Sequence, residues 1–196
     1  MTNVVSPNSS VISEYLDKWD QLENYKLQEN SLGLLFNELC PENKNIEHVL
    51  LKVSALNDFY STNIFDTYTV SKHILNCKID QSLKDGCKKL VNKIALVTIK
   101  GKTKNFFSFA SKYCSHHRPE VYPIYDSYVE KMLMYFKKTD KFASFKKDEL
   151  KIYSRFIEII HEFKKFYNLD NFSLRKIDIY FIPKTYDFLH TKNTVS

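Results

Sequence analysis

The chain has 196 residues, of which 43% are hydrophobic and 15% aromatic, enough for one domain with a real core. Only three glycines, Gly33, Gly86 and Gly101, serve the whole length, which argues against the turn-rich sandwiches, barrels and dinucleotide folds and for helices. A formal net charge of +6 favours polyanionic partners, although lysines that only solvate a surface produce the same total.

In chain order, residues 1–12 read as a flexible polar lead. From Ser13 a helix is expected, with Tyr15, Leu16, Trp19 and Leu22 on one face. "SLGLLFNELC" is a shorter apolar segment that stops at Pro41. Asn45 can cap a helix in which Ile46, Val49, Leu50, Val53, Leu56 and Tyr60 recur at helical spacing. A Ser/Thr/Asn break follows, then a helix through Tyr68, Val70 and Ile74. Residues 86–99 are expected as a helix through Leu90, Val91, Ile94 and Val97 that ends at "KGKTKN", where Gly101 supplies the left-handed residue of a C-terminus. "FFSFASKYC" resumes a helix, so residues 87–114 read as helix, short glycine turn, helix. After the loop "SHHRPEVYPIY", Asp126 heads a helix that buries Val129, Met132, Leu133 and Phe136. Residues 148–167 carry the most regular helical stripe, and "SLRKIDIYFI" is a last short helix ending before Pro183. No segment reads convincingly as a strand.

The four cysteines are scattered and no signal or membrane-length apolar stretch is visible, so a cytoplasmic protein with reduced thiols is expected. The spacing excludes an iron–sulfur cluster. Adjacent His116 and His117 on a helix cannot both face one ion, so neither a metal nor a cofactor is expected.

The order of helix, glycine turn, helix, Pro-containing loop and Asp-headed helix resembles the helix-hairpin-helix (HhH-GPD) DNA glycosylases. The sharpest match is "YPIYDSYV", Tyr122 to Val129, which is similar to the segment carrying that family's catalytic aspartate. The resemblance extends over about residues 45–180 and implies one mostly α domain over residues 13–190, with the hairpin at about 87–114. It further implies a monofunctional DNA N-glycosylase that releases a damaged or modified base by hydrolysis, acting on double-stranded DNA without a cofactor. Asp126 would stabilise the cationic sugar as the glycosidic bond breaks. Lys100, Gly101, Lys102 and Lys104 would grip phosphate. Phe59, Tyr60, Tyr122 and Tyr125 would hold the extruded base. Family members that also act as lyases place a lysine early in the second hairpin helix. Ungapped alignment puts Ser108 there, flanked by Lys104 and Lys112, either of which a small gap would shift into place. The turn departs from the family pattern, because Gly101 is followed by Lys102 and Thr103 where a second glycine is expected.

Simpler roles stand beside each of these. Asp126 serves as an N-cap in any apolar-striped helix, the aromatics fill cores, and the lysines solvate a turn. The corresponding alternatives are a nucleic-acid-binding helical module without activity and a helical protein–protein interaction domain.

Overall fold

A computed structural model describes the backbone of residues 6–190 and the side chains of residues 6–182. The fold is all-α apart from one two-stranded ribbon. Asn8 caps α1 (Ser9–Asp20) by accepting from the Val11 N–H at 3.0 Å, so the polar lead ends earlier than residue 12. α2 (Glu23–Leu34) runs into a π-helical turn over Leu35–Leu39 before Pro41. α3 (Ile46–Tyr60) starts where expected: Asn45 Oδ1 accepts from the N–H groups of Glu47 and His48. Asp66 caps α4 (Thr67–Cys77) in the same way, through the Thr69 N–H.

Two short helices, α5 (Asp80–Lys84) and α6 (Leu90–Ala95), lead into β1 (Leu96–Ile99). This corrects the expectation of a helix to Ile99. β1 pairs antiparallel with β2 (Lys102–Asn105), from Leu96 opposite Asn105 to Ile99 opposite Lys102. Gly101 is therefore not a helix terminus. It is the second residue of a two-residue β-turn in which Lys100 (φ 48°) and Gly101 (φ 75°) both take positive φ, the geometry whose twist matches that of paired strands. Val97 is buried and Ile99 half-buried, while Thr98 and the whole of β2 face solvent.

α7 (Phe107–His117) buries nine of its eleven residues and is the axis of the domain. It extends through Ser115, His116 and His117, residues that the sequence places in the Pro-containing loop. α6 packs along one side of it and α3 along another. α8 (Ser127–Thr139) follows, capped by Asp126. The stripe over 148–167 is divided into a 3-10 turn (Lys147–Lys151) and α9 (Tyr153–Phe166), separated by the extended Ile152. α10 (Leu174–His190) lies against α1 and α8 and continues past Pro183. Burial of Ile177, Tyr180 and Phe181 in the common core outweighs the single hydrogen bond a proline removes. One apolar cluster runs from Ile12 to Phe181 and joins every layer.

Candidate functional site

The segment Pro123–Tyr125 is held rigid, because its polar backbone atoms have side-chain partners. The Tyr153 hydroxyl donates to Pro123 O at 2.7 Å, the Ile124 N–H donates to Asp178 Oδ2 at 3.0 Å, and Ser111 Oγ both accepts from the Tyr125 N–H and donates to Tyr125 O, at 3.0 Å each. A clamped entry fixes where Asp126 projects. Asp126 Oδ1 caps α8 through the N–H groups of Tyr128 (2.9 Å) and Val129 (3.0 Å). Asp126 Oδ2 is left for a second job and accepts from Lys112 Nζ at 3.3 Å.

Lys112 comes from the middle of α7 and its side chain is only 5% exposed. Its ammonium donates to Ser108 Oγ at 2.9 Å, one turn back, and lies 5.2 Å from the centroid of the Tyr60 ring. Burial lowers the Lys112 pKa, and the neighbouring Asp126 charge opposes that shift. The Tyr60 hydroxyl meets His116 Nε2 at 3.0 Å. Burial, with the positive charges of Arg175 and Lys112, holds His116 down to about 3, so its ring is neutral at physiological pH. Burial pushes the Tyr60 phenol up to about 12.

These groups line a cavity of about 600 Å³. Its far wall is built by residues distant in sequence. Trp19 of α1 and Tyr25 of α2 stand 5.5 Å apart, ring centre to ring centre. Arg175 of α10 forms a two-pronged bridge to Glu29 of α2, through Nε to Oε1 at 3.0 Å and through Nη2 to Oε2. Burial works against the Arg175 charge, but Tyr60, Glu29 and Asp178 hold the guanidinium more firmly protonated than usual. Such a cavity is of the size and character of small-molecule sites: aromatic walls with a few fixed polar groups.

Of the sequence-predicted residues, Asp126, Ser108, Lys112, Phe59 and Tyr60 meet in this cavity. Tyr122 and Tyr125 do not, and their assignment to a base pocket is corrected. Tyr122 is fully buried, stacks on Tyr153 and directs its hydroxyl to Ser82 O and Cys87 O. Tyr125 packs edge-on against Phe107 and Phe156 and hydrogen-bonds Glu130. The clamp on Pro123–Tyr125 turns both rings into the core. Lys100, Gly101, Lys102 and Lys104 lie exposed on the hairpin and outside the cavity wall, although Asn105 at its foot contributes to that wall. Glu29, Arg175, Trp19 and Tyr25 are cavity residues that sequence reasoning misses, because no local pattern marks a bridge between α2 and α10. Asp178 of α10 does not line the cavity but lies behind it. It is buried, with Oδ1 lacking a hydrogen-bond partner, and burial pushes its carboxyl up to about 8.

Beside the mouth runs the loop Ser61–Asp66, with Ser61, Thr62 and Asn63 in the cavity wall and Phe65 97% exposed. Among the described residues, no group of three or more His, Cys, Asp or Glu side chains could hold a metal ion, and no helix is long and apolar enough to cross a membrane. His116 and His117 serve different neighbours, since His117 Nε2 lies 3.3 Å from both Asn43 Nδ2 and Lys52 Nζ.

The class so defined is an all-α domain in which a buried lysine meets a half-buried aspartate in the wall of an aromatic cavity. The chain belongs to the HI_0787_N (N-terminal domain) family, which it matches over residues 11–121. That match spans α1 to α7 and includes Glu29, Tyr60, Ser108 and Lys112, whereas Asp126, Arg175 and Asp178 lie beyond it. The chain is also similar to an uncharacterized protein of Haemophilus influenzae, 43% identical over 176 residues that cover 86% of this chain and 85% of the relative. No solved structure matches.

Proposed function

We propose that this protein is a DNA N-glycosylase-like enzyme that removes a damaged or modified base, with Lys112 and Asp126 as its reacting pair. The observation that carries the reading is the contact of Lys112 Nζ with Asp126 Oδ2, 3.3 Å, in the wall of an aromatic cavity. Desolvation that lowers the pKa of an amine is what an amine nucleophile needs, and the carboxylate beside it, although it opposes that shift, is placed to take the amine's proton. An extruded base stacks among Trp19, Tyr25 and Tyr60, which offsets the few kcal/mol lost on unstacking. The Lys112 nitrogen lone pair forms a bond to the sugar C1′ while the C1′–N bond breaks and its electron pair leaves with the base. Asp126 takes a proton from Nζ before the attack and hands it to the departing base, so that it is a carboxylate again as positive charge develops on the sugar. Ring opening then gives an imine between Lys112 and the sugar. The hairpin lysines supply sequence-independent phosphate contacts.

The test is borohydride trapping on a panel of duplexes carrying different lesions or modified bases. A covalent protein–DNA adduct is expected with the wild type on at least one duplex, and none with Lys112→Met. Base release without an adduct would assign the chemistry to Asp126 and water. Neither release nor adduct on any duplex, with DNA still bound, would leave a non-catalytic nucleic-acid-binding module.

A further inference from the structure

Behind the Lys112–Asp126 pair lies a third ionisable group that the proposed chemistry does not use. Asp178 of α10 is 2% exposed. Its Oδ2 accepts from the Ile124 N–H, and so forms one of the clamps on the segment that presents Asp126. Its Oδ1 is buried without a hydrogen-bond partner in the described structure. A buried carboxylate oxygen with no donor is costly, and placing a proton on it removes the charge.

Charge balance leads to the same state. The ionisable groups facing Asp178 are Arg175 on its own helix, Lys112 on α7, Asp126 at the head of α8, Tyr60 on α3 and Tyr153 on α9. Arg175 is matched by Glu29 and Lys112 by Asp126, in two ion pairs that leave no excess cation. Burial pushes both the Tyr60 and the Tyr153 phenols upward, so they stay neutral. A charged Asp178 would make the cluster net negative and would hold the proton on Lys112.

We propose that Asp178, kept as a neutral carboxylic acid, is the positioning residue of the cavity: it fixes the segment that presents Asp126 and, by carrying no charge, lets Lys112 give up its proton. The proposal rests on Lys112 as the nucleophile, and it is tested by a property of the protein that needs no DNA.

In the full chain labelled with ¹³Cγ-aspartate, one aspartate resonance is expected to titrate above pH 6, far from the others, and to vanish in Asp178→Asn. If every aspartate is ionised by pH 6 the proposal is overturned, whether or not the variant folds. The amine is read by the rate at which formaldehyde and cyanoborohydride methylate Lys112, followed by mass spectrometry from pH 6 to 9.5. Asp178→Asn is neutral at every pH. The wild-type rate should match the variant's at pH 6.5 and fall about tenfold below it by pH 9, because a new negative neighbour holds the lysine proton about ten times more firmly. A ratio that stays constant across this range overturns the proposal, since a purely structural Asp178 would change both rates alike. Neither measurement depends on base release, so a failure of the glycosylase reading would show separately in the trapping assay.

Discussion

Lys112 Nζ lies 3.3 Å from Asp126 Oδ2, joining the middle of α7 to the cap of α8 across fourteen residues of sequence. The same carboxylate caps a helix with its other oxygen. The two tasks are separable by substitution. Asparagine caps a helix about as well as aspartate but brings no charge. Asp126→Asn should therefore keep α8 and lose base release by at least about 100-fold, the usual cost of removing an electrostatic stabiliser from a transition state. Lys112 would then be a buried cation without its counter-charge. Urea unfolding at pH 6 should show a loss of about 1–3 kcal/mol that shrinks as the pH is raised and Lys112 sheds its proton. Asp126→Ala should cost about 1 kcal/mol more, for the cap. Activity in Asp126→Asn equal to wild type would leave this residue as a cap only.

Acid stability follows from the two histidines at the end of α7. Both are held down to about 3, His116 by burial and the charges of Arg175 and Lys112, His117 by burial and the charge of Lys52. Between about 3 and the ordinary value near 6.5, the unfolded chain binds protons that the folded chain refuses, so stability falls as the pH drops through this window. Asp178 acts in the opposite sense. Its folded pKa is raised, so its contribution is present in acid and lost as the pH rises from its ordinary 3.8 toward about 8. Two histidines outweigh one aspartate, and Tm should decrease from pH 6.5 to 4.5. The double variant His116→Gln, His117→Gln should show a flatter profile, or a reversed one as Asp178 takes over. A wild-type steepness in that variant would place the acid sensitivity elsewhere.

The elements most legible in the sequence are those with a cap and a stripe together: α3 behind Asn45 and α8 behind Asp126. The hairpin is hidden because Leu90, Val91, Ile94 and Val97 satisfy helical spacing up to the strand. The β-branched run Val97–Thr98–Ile99 before a Lys-Gly pair is the signal that spacing alone obscures. Half of the cavity is legible, since Ser108, Lys112 and Asp126 lie close in sequence and Tyr60 ends a well-marked helix. The other half is not. Glu29 and Arg175 are 146 residues apart, and only the packing of α10 brings them to one wall. Tyr122 and Tyr125 flank a proline segment whose clamping by Ser111, Tyr153 and Asp178 is likewise a tertiary fact.

A second buried lysine tests the distinction between structure and chemistry. Lys52 is fully buried and donates to Cys40 O (2.9 Å), Glu42 O (3.1 Å) and Asn43 Oδ1 (2.7 Å), tying the loop after α2 to α3. Burial lowers its pKa to about 8. Lys52→Met should destabilise by about 2–4 kcal/mol, because it orphans two carbonyls and leaves Asn43 Oδ1 only the Tyr113 hydroxyl. Between about 8 and 10.5 the unfolded chain holds the Lys52 proton more firmly, so the wild type should lose stability relative to the variant as the pH falls from 10.5 toward 8, and regain it as the pH rises. Borohydride trapping should be unchanged once the variant is assayed well below its Tm. A trapping defect at that temperature would mean that Lys52 reaches the reacting groups after all.

The surface around the cavity mouth carries the last prediction. Phe65 is 97% exposed between the buried Ile64 and the cap Asp66, on a loop whose Ser61 and Asn63 take positive φ. The charge of Lys100 acts on Asp66, and α4 packs on β1, so the turn of the hairpin and the Phe65 loop belong to one region of the surface. Lysines on phosphates and an aromatic on bases contribute differently to binding. Each phosphate contact releases counterions, whereas stacking does not. Changing Lys100, Lys102 and Lys104 together to glutamine should weaken DNA binding almost uniformly across sequences and reduce the salt slope by about 1 for each lost contact. Phe65→Ala should weaken binding by about 1–3 kcal/mol and leave the slope unchanged. Fluorescence anisotropy of a labelled duplex at several salt concentrations separates the two effects. A Kd and a slope untouched by both variants would mean that the hairpin and the Phe65 loop face no nucleic acid, and that whatever enters the cavity arrives without a phosphate backbone to guide it.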